Sequence, residues 1–191
     1  MTENGQQAID KQRFFSLLQE HQIVVSDEQL KALEIYAQNL EKWQKSVNLV
    51  GSDTLPELWT RHILDSLQLL PYVSRGTILD FGSGGGLPAV PMAIMGQKVF
   101  ACERIAKKTT FLKHVSRETN TQQKLTVLTD DVRNINVDVS VITARAVADI
   151  NLLLSLTQHY HQKDILYVLP KGQNYKNEIL KPKLTGNLIL K

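Results

Sequence analysis

From residue 76 onward, the sequence alternates short apolar runs with longer amphipathic segments. The segments between the runs, such as residues 105–119 and 147–159, have apolar residues at helical spacing. Strands and helices that alternate in this way form a parallel sheet with helices on both faces. The sequence therefore predicts an α/β, doubly wound fold that binds ligands at the carboxyl ends of its strands. The predicted strands are residues 77–81, 98–102, 125–128, 139–143 and 165–169.

The first 75 residues have a different pattern, in which apolar residues recur at helical spacing. Ser26 and Gln29 have the spacing of a capping box, which marks the start of a helix. We expect about three helices within residues 11–72. The chain therefore divides into a helical amino-terminal extension, residues 1–75, packed on a core of residues 76–191. The apolar positions that indicate the helices include Phe14, Leu18, Leu33, Leu40, Leu58, Ile63 and Leu67.

Composition excludes several classes of protein. The 191 residues suffice for one domain with a small extension, and 42% hydrophobic residues is a globular value. Cys102 is the single cysteine, which excludes a disulfide framework and a cysteine-built zinc site. We find neither a signal-peptide pattern nor about 18 consecutive apolar residues, so we expect a cytoplasmic protein without a membrane span. The net charge of +3 is too small to prove a polyanionic partner.

The strongest local signal is a glycine-rich loop, Asp80-Phe81-Gly82-Ser83-Gly84-Gly85-Gly86, between a predicted strand and a predicted helix that starts at Leu87. Glycines at such a junction allow the backbone to approach a ligand closely. Residues 84–89 also fit the loose dinucleotide pattern, so an NAD(P)-dependent oxidoreductase stays open as an alternative.

Acidic residues around this loop separate the possible cofactors. A carboxylate at Asp80 would repel the phosphates of a dinucleotide but would tolerate the ammonium and sulfonium of S-adenosylmethionine. Glu103 ends the second predicted strand, where it can accept hydrogen bonds from the ribose of either cofactor. Asp130 and Asp131 follow the third strand and either contact the adenine or flank the backbone that does. Asp80 therefore favours the methyl donor.

Several blocks in a fixed order resemble a known family. Together they cover about residues 30–173 and are similar to the bacterial small-subunit (16S) rRNA guanine-N7 methyltransferase G family, also called the glucose-inhibited division protein B family. The resemblance implies a Rossmann-like class I methyltransferase fold, S-adenosyl-L-methionine as cofactor, and 16S rRNA or the small ribosomal subunit as partner. The blocks are Asn48-Leu49-Val50, residues 61–67, residues 80–88, Lys107-Lys108 with Phe111-Leu112, residues 145–148, and Lys171-Gly172.

By this resemblance, Gly82 and Leu87 line the donor pocket, Glu103 binds the ribose, and Arg145 closes the site after the fourth strand. Val132 and Arg133 would lie over the adenine. The family usually has glycine at the position of Ala89 and often an acidic residue at that of Arg133, so only a backbone contact carries over for Arg133. The full predicted donor-binding set is Asp80, Gly82, Gly84, Gly86, Leu87, Glu103, Asp131, Val132, Arg133 and Arg145.

Methylation at guanine N7 suits this sequence, because N7 carries a lone pair and no proton and needs no general base. Enzymes that methylate exocyclic amines usually have an Asn- or Asp-Pro-Pro-aromatic motif after the fourth strand, whereas residues 143–147 read Thr-Ala-Arg-Ala-Val. Catalysis would then depend on orientation, with Arg145 and Lys171 positioning the guanine or its phosphate. Further candidates for phosphate contacts are Lys42, Lys45, Arg61, Arg104, Lys107, Lys108, Lys113 and Arg117.

The remaining expectations concern partners and the carboxyl end. We predict a monomer without a metal site, in which His62 is a helix-packing histidine beside Ile63. Family members generally add two strands after the position of Lys171, whereas this sequence has one short apolar run at residues 188–190. The core is therefore expected to be short at its carboxyl end, which keeps a donor-binding RNA module without turnover as a further alternative.

Overall fold

A computed structural model describes residues 3–73, 76–147, 149–160, 164–170 and 187–190. Its centre is one six-stranded sheet in the order β3-β2-β1-β4-β5-β6, and every neighbouring pair is parallel. The predicted α/β fold is confirmed, and each predicted strand lies within about two residues of an observed one. The strands are β1 Ile78–Phe81, β2 Val99–Cys102, β3 Leu125–Leu128, β4 Val141–Thr143, β5 Leu166–Leu169 and β6 Asn187–Leu190.

The helices follow the local start signals. The predicted capping box is present, because Ser26 Oγ accepts a hydrogen bond from Gln29 N at 3.2 Å and Gln29 Oε1 accepts one from Ser26 N at 2.9 Å. The helix predicted at Leu87 begins two residues later. The α-helices are α1 Glu3–Glu20, α2 Asp27–Gln44, α3 Asp65–Leu67, α4 Leu70–Val73, α5 Ala89–Ile94, α6 Ala106–Glu118 and α7 Ile150–Leu156.

The stretch between α2 and α3 is not an ordinary α-helix. It forms a 3₁₀-helix, Ser52–Glu57, followed by a π-helix, Leu58–Leu64. The buried carboxylate of Asp10 on α1 explains where the π-helix begins, because its Oδ2 accepts hydrogen bonds from Trp59 N at 2.8 Å and Thr60 N at 3.3 Å. These amides at the start of the helix would otherwise have no partner within it. Helices predicted from apolar spacing are therefore partly replaced here by tighter and wider turns.

Apolar side chains cover both faces of the sheet. One hydrophobic cluster joins the amino-terminal helices to α5 and α6, and it includes Phe14, Leu33, Val90 and Phe111. A second cluster, which includes Leu79, Ile142, Leu153 and Tyr167, packs β1, β4 and β5 against α7. Residues from the predicted extension and from the predicted core thus share the first cluster.

The parallel register aligns the carboxyl ends of the central strands. Phe81 of β1 pairs with Cys102 of β2, which pairs with Leu128 of β3, and Asp80 of β1 pairs with Thr143 of β4. The loops after these strands therefore meet at one edge of the sheet, as expected for a ligand site. Within the described ranges, no helix combines the length and hydropathy needed to cross a membrane.

Candidate active site

The glycine loop follows β1 directly and is held against β2. Gly82 N and Ser83 N both donate to the carbonyl oxygen of Cys102, at 2.8 and 3.2 Å, and Gly86 N donates to Ser83 O at 2.6 Å. Gly82, Gly84 and Gly86 have positive φ angles of 67°, 52° and 83°. Residues other than glycine rarely adopt this left-handed backbone, so the loop depends on its glycines.

Two of these glycines also lie too close to neighbouring side chains to carry a Cβ atom. A Cβ on Gly82 would be 2.5 Å from Val147 Cγ2, in the loop after β4. A Cβ on Gly86 would be 2.5 Å from Val90 Cγ2 and 3.0 Å from Leu112 Cδ2, on α5 and α6. Gly82 therefore allows two loops to meet at the site, whereas Gly86 allows the loop to pack on the helices.

A cavity of about 270 Å³ lies beside the loop. It brings together Gly82, Gly84, Leu87 and Arg145 of the predicted donor-binding set, with Lys108 from α6. Its opposite wall comes from the amino-terminal segment of residues 49–62. The cavity therefore lies between the extension and the core, and both contribute side chains to it.

Asp80 is a buried carboxyl group, only 1% exposed, at the end of β1. Its Oδ1 accepts a hydrogen bond from Thr143 Oγ1 at 2.9 Å, whereas its buried Oδ2 has no hydrogen-bond partner among the described residues. Burial raises the pKa of Asp80 to about 7, although Ser83, Thr143 and the charge of Arg145 act in the opposite direction. An unpaired carboxyl oxygen at the glycine loop suits a ligand with positive charge and disfavours a dinucleotide phosphate.

Glu103, directly after β2, connects the glycine loop to α6. Its carboxylate is buried; Oε2 accepts from Gly84 N at 3.0 Å, and Oε1 accepts from Ile105 N at 2.8 Å. Because each carboxylate oxygen has a second lone pair, these bonds leave capacity for a ligand hydroxyl. Glu103 is not among the residues that line the cavity, and it fixes the glycine loop to the start of α6.

Arg145, two residues after β4, reaches back to the amino-terminal segment. Its Nη2 donates to His62 Nδ1 and, at 3.3 Å, to Arg61 O. Its Nη1 is buried and has no hydrogen-bond partner within the described ranges. Burial lowers the pKa of Arg145, while Asp65, Tyr36 and Asp80 act to raise it. The next residue, Ala146, has φ 54°, a conformation that costs a non-glycine residue about 1–2 kcal/mol and that is concentrated at functional sites.

The residues predicted near the adenine lie on a 3₁₀-helix, Val132–Asn134, which does not line this cavity. Asp131 caps that helix and forms a bidentate pair with Arg133. Arg133 Nε donates to Asp131 Oδ1 at 2.9 Å, and Arg133 Nη2 donates to Asp131 Oδ2 at 2.8 Å. This pairing holds the pKa of Asp131 below its usual range. Val132 is buried, and the backbone N of Arg133 already donates to Asp131 Oδ1 at 3.0 Å.

Several residues of this site are absent from the donor-binding set predicted from the sequence. His62, expected to pack a helix, contacts Arg145; Thr54 and Leu49 line the cavity, and Tyr36 donates from its hydroxyl to Gly85 O at 2.7 Å. The family blocks at residues 48–50 and 61–67 were the available signal, because they include Leu49 and His62.

Lys171 lies outside the described residues. The part of the chain that the structure describes contains no group of three or more His, Cys, Asp or Glu side chains suited to a metal ion.

Comparisons with known proteins show which family the sequence is similar to. Residues 29–186 match the family model of the rRNA small subunit methyltransferase G. The chain is 36% identical over 162 residues to the ribosomal RNA small subunit methyltransferase G of Rickettsia prowazekii (strain Madrid E), covering 83% of each chain. It is 38% identical over 158 residues to that of Orientia tsutsugamushi (strain Ikeda), covering 81% of this chain and 78% of the relative.

A solved structure supports the fold. Coclaurine N-methyltransferase bound to N-methylheliamine and SAH superposes with a TM-score of 0.51 at 16% identity, covering 88% of this chain and 58% of that chain. This likeness agrees with the predicted class I methyltransferase fold. Since the matched family model covers most of the sequence, the chain belongs to the rRNA small subunit methyltransferase G family.

Proposed function

We propose that the chain transfers the methyl group of S-adenosyl-L-methionine to N7 of a guanine in 16S rRNA. The single observation that supports this best is the buried Asp80 at the glycine loop, whose unpaired oxygen suits a cationic ligand. We further propose that the partner is 16S rRNA or the small ribosomal subunit, and that the protein acts as a monomer in the cytoplasm.

The donor fits the residues present. Gly82, Gly84 and Leu87 would hold it against the loop, Asp80 would offset its positive charge, and Glu103 would accept from its ribose. When bound, S-adenosyl-L-methionine supplies a methyl group activated by the sulfonium. Gly86, Asp131, Val132 and Arg133 complete the proposed donor set, with Val132 and Arg133 near the adenine.

The chain's own residues would orient the target base and need not remove a proton from it. Arg145 carries an unpaired, buried Nη1 at the cavity, where it can donate to the guanine or to its phosphate. Orientation of this kind can lower a barrier by about 7–11 kcal/mol. Lys171 remains a proposed second positioning residue. The Thr-Ala-Arg-Ala-Val sequence after β4 supports N7 over an exocyclic amine as the target.

Transfer of a labelled methyl group to under-methylated small-subunit RNA, free and within its particle, tests this function. We expect one site, which chemical cleavage at N7-methylguanine maps. Arg145→Ala should lose turnover more than affinity for S-adenosylhomocysteine, whereas Arg13→Ala, on an exposed position of α1, should change neither by more than about twofold.

Three results would contradict the proposal in different ways. Binding of NADH without binding of S-adenosylhomocysteine would favour the oxidoreductase. Donor binding without transfer to either RNA substrate would favour a binding module without turnover. Wild-type rates in Arg145→Ala would remove Arg145 from the positioning role.

A further inference from the structure

We infer that His62 is a positioning residue that holds the guanidinium of Arg145 in the orientation needed for methyl transfer. The inference rests on the proposed function of Arg145 but on separate observations. His62 lies in the π-helix, 5% exposed, and its Nδ1 contacts Arg145 Nη2. The two residues are 83 positions apart in the sequence, so this contact joins the amino-terminal segment to the loop after β4.

Hydrogen-bonding chemistry fixes the protonation of His62. A guanidinium can only donate, so Nδ1 of His62 must accept and cannot carry a proton. The proton of the neutral ring is then on Nε2, which donates to Thr54 Oγ1 at 2.7 Å. The Thr54 hydroxyl in turn donates to Gly51 O at 2.7 Å. The tautomer of His62 with its proton on Nε2 therefore satisfies all three hydrogen bonds of this chain, from Arg145 Nη2 through His62 and Thr54 to Gly51 O.

The electrostatic surroundings also favour the neutral form of the ring. Burial is the main cause that lowers the pKa of His62 to about 4, and the positive charges of Arg145 and Arg61 lower it further. The ring is thus an uncharged acceptor beside Arg145 at neutral pH. A lysine or a second cation at this position would repel the guanidinium that it is required to hold.

The backbone that carries His62 is itself held in place. Ser66 Oγ donates to the His62 carbonyl at 2.7 Å, and Asp10 holds the start of the π-helix through Trp59 N and Thr60 N. Because Nη2 of Arg145 is occupied by His62 and Arg61 O, the unpaired Nη1 is left for a ligand. His62 therefore selects which edge of the guanidinium serves the site.

Two substitutions separate this role from a purely structural one. The side-chain oxygen of His62→Asn can take the place of Nδ1 and accept from Arg145, but it cannot reach Thr54. The amide of His62→Gln can take the place of Nε2 and donate to Thr54, but it does not restore the acceptor for Arg145. His114→Gln is the matched control, because His114 is half-buried on α6 and bonds Asn39 outside the cavity.

We expect His62→Gln to lose about tenfold or more in kcat/KM for RNA, which is the size expected when a hydrogen bond to a charged group is lost. His62→Asn should stay within about threefold of wild type. The thermal midpoints of the two variants should be similar. Equal losses in both variants, or a larger loss in Asn than in Gln, would overturn the inference.

A second measurement does not depend on methyl transfer. Nitrogen-15 NMR of the full chain at pH 7 should show His62 as the neutral tautomer protonated on Nε2, and Arg145→Ala should broaden or shift its Nδ1 signal. A proton on Nδ1 would overturn the inference even if the wild-type enzyme is active. If wild-type protein transfers no methyl group to RNA while the NMR result holds, the proposed function fails and the role of His62 in orienting Arg145 stands.

Discussion

Asp80 has two oxygens in different situations, and this difference determines how its ionisation affects the protein. Oδ1 is bound by Thr143, whereas Oδ2 is buried without a partner among the described residues. Ionisation would place a negative charge on a group that burial has removed from water, so the proton stays on to a higher pH. A cationic ligand would reverse this preference by supplying the missing charge.

We predict that Asp80 makes the ligand-free protein less stable as the pH rises. The pKa of Asp80 is raised from 3.8 to about 7, so between these values the folded chain holds a proton that the unfolded chain has lost. This stabilisation is fully present below about pH 4 and is lost as the pH rises through 7. Burial of the neutral His62 ring acts in the opposite direction over the same range, because it lowers the pKa of His62 to about 4. In urea unfolding, the contribution of Asp80, about 2–3 kcal/mol lower at about pH 8 than at about pH 5, therefore appears as the difference between the wild type and a variant that lacks this carboxyl group.

Asp80→Asn is the matched variant, since an amide resembles the protonated carboxyl group and does not titrate. Relative to the wild type, its free energy of unfolding should rise by about 2–3 kcal/mol between about pH 5 and about pH 8. Its affinity for S-adenosylmethionine should fall because the carboxylate is gone. The same pH dependence in both proteins would assign the effect to other groups. Unchanged donor affinity in a folded variant would remove Asp80 from the donor site.

At the scale of single residues, the sequence predicts candidate site residues well where they lie at the carboxyl end of a strand. Asp80 and Glu103 are predicted at the site because each ends a strand of a parallel sheet, and both lie at the glycine loop. The role of His62 is not visible in the sequence, because it depends on a contact with Arg145 across 83 residues. The pattern around His62 indicates burial correctly but carries no information about its partner.

At the scale of elements, α2 supports the glycine loop. The buried hydroxyl of Tyr36 donates to Gly85 O at 2.7 Å, and burial raises the pKa of Tyr36 well above its ordinary value, so the donor proton is retained. The backbone of Gly85 also lies close to the amino-terminal segment, since a Cβ there would be 3.1 Å from Leu49 O. The loop is therefore positioned by the extension as well as by β1.

We predict that Tyr36→Phe lowers the free energy of unfolding by about 1–3 kcal/mol, because it leaves the buried carbonyl of Gly85 unpaired. Donor affinity should fall as well, since the loop loses a support. Tyr160→Phe is the control, because the hydroxyl of Tyr160 donates to Ile135 O at 3.2 Å in the second cluster. Equal donor affinities for the two variants would contradict a role of α2 in holding the loop.

The π-helix shows why some elements cannot be derived from local sequence. Apolar spacing around Leu58, Ile63 and Leu67 predicts helical structure, and these side chains are buried as expected. The start of the π-helix is held by Asp10, which accepts from Trp59 N and Thr60 N across 49 and 50 residues of sequence. By contrast, the capping box at Ser26 is predictable because its two partners are three residues apart.

At the scale of the whole molecule, the division at residue 75 separates two sequence patterns that share one hydrophobic cluster. Phe14 and Leu33 from the first pattern pack in the same cluster as Val90 and Phe111 from the second, and Trp43 meets Phe111 with ring centroids 5.6 Å apart. Apolar periodicity identifies which face of each helix is buried, but it does not identify the surface that buries it. The side chains that pack together in the shared cluster therefore cannot be identified from the sequence pattern.

We predict that the two parts unfold together in one cooperative transition. Both tryptophans, Trp43 and Trp59, lie in the first 75 residues, so tryptophan fluorescence reports the extension, whereas far-ultraviolet circular dichroism reports the whole chain. The two urea transitions should coincide. A fluorescence transition at a lower urea concentration than the circular dichroism transition would show that the extension unfolds on its own.

The carboxylate of Asp10 gives the first helix an influence on a cavity that it does not line. Asp10 fixes the Trp59 and Thr60 amides, and His62, the support of Arg145, follows them within the same π-helix. The rate of hydrogen exchange at the Trp59 and Thr60 amides therefore reports how often this wall of the cavity opens. The arrangement of the cavity therefore depends in part on a residue near the start of the chain.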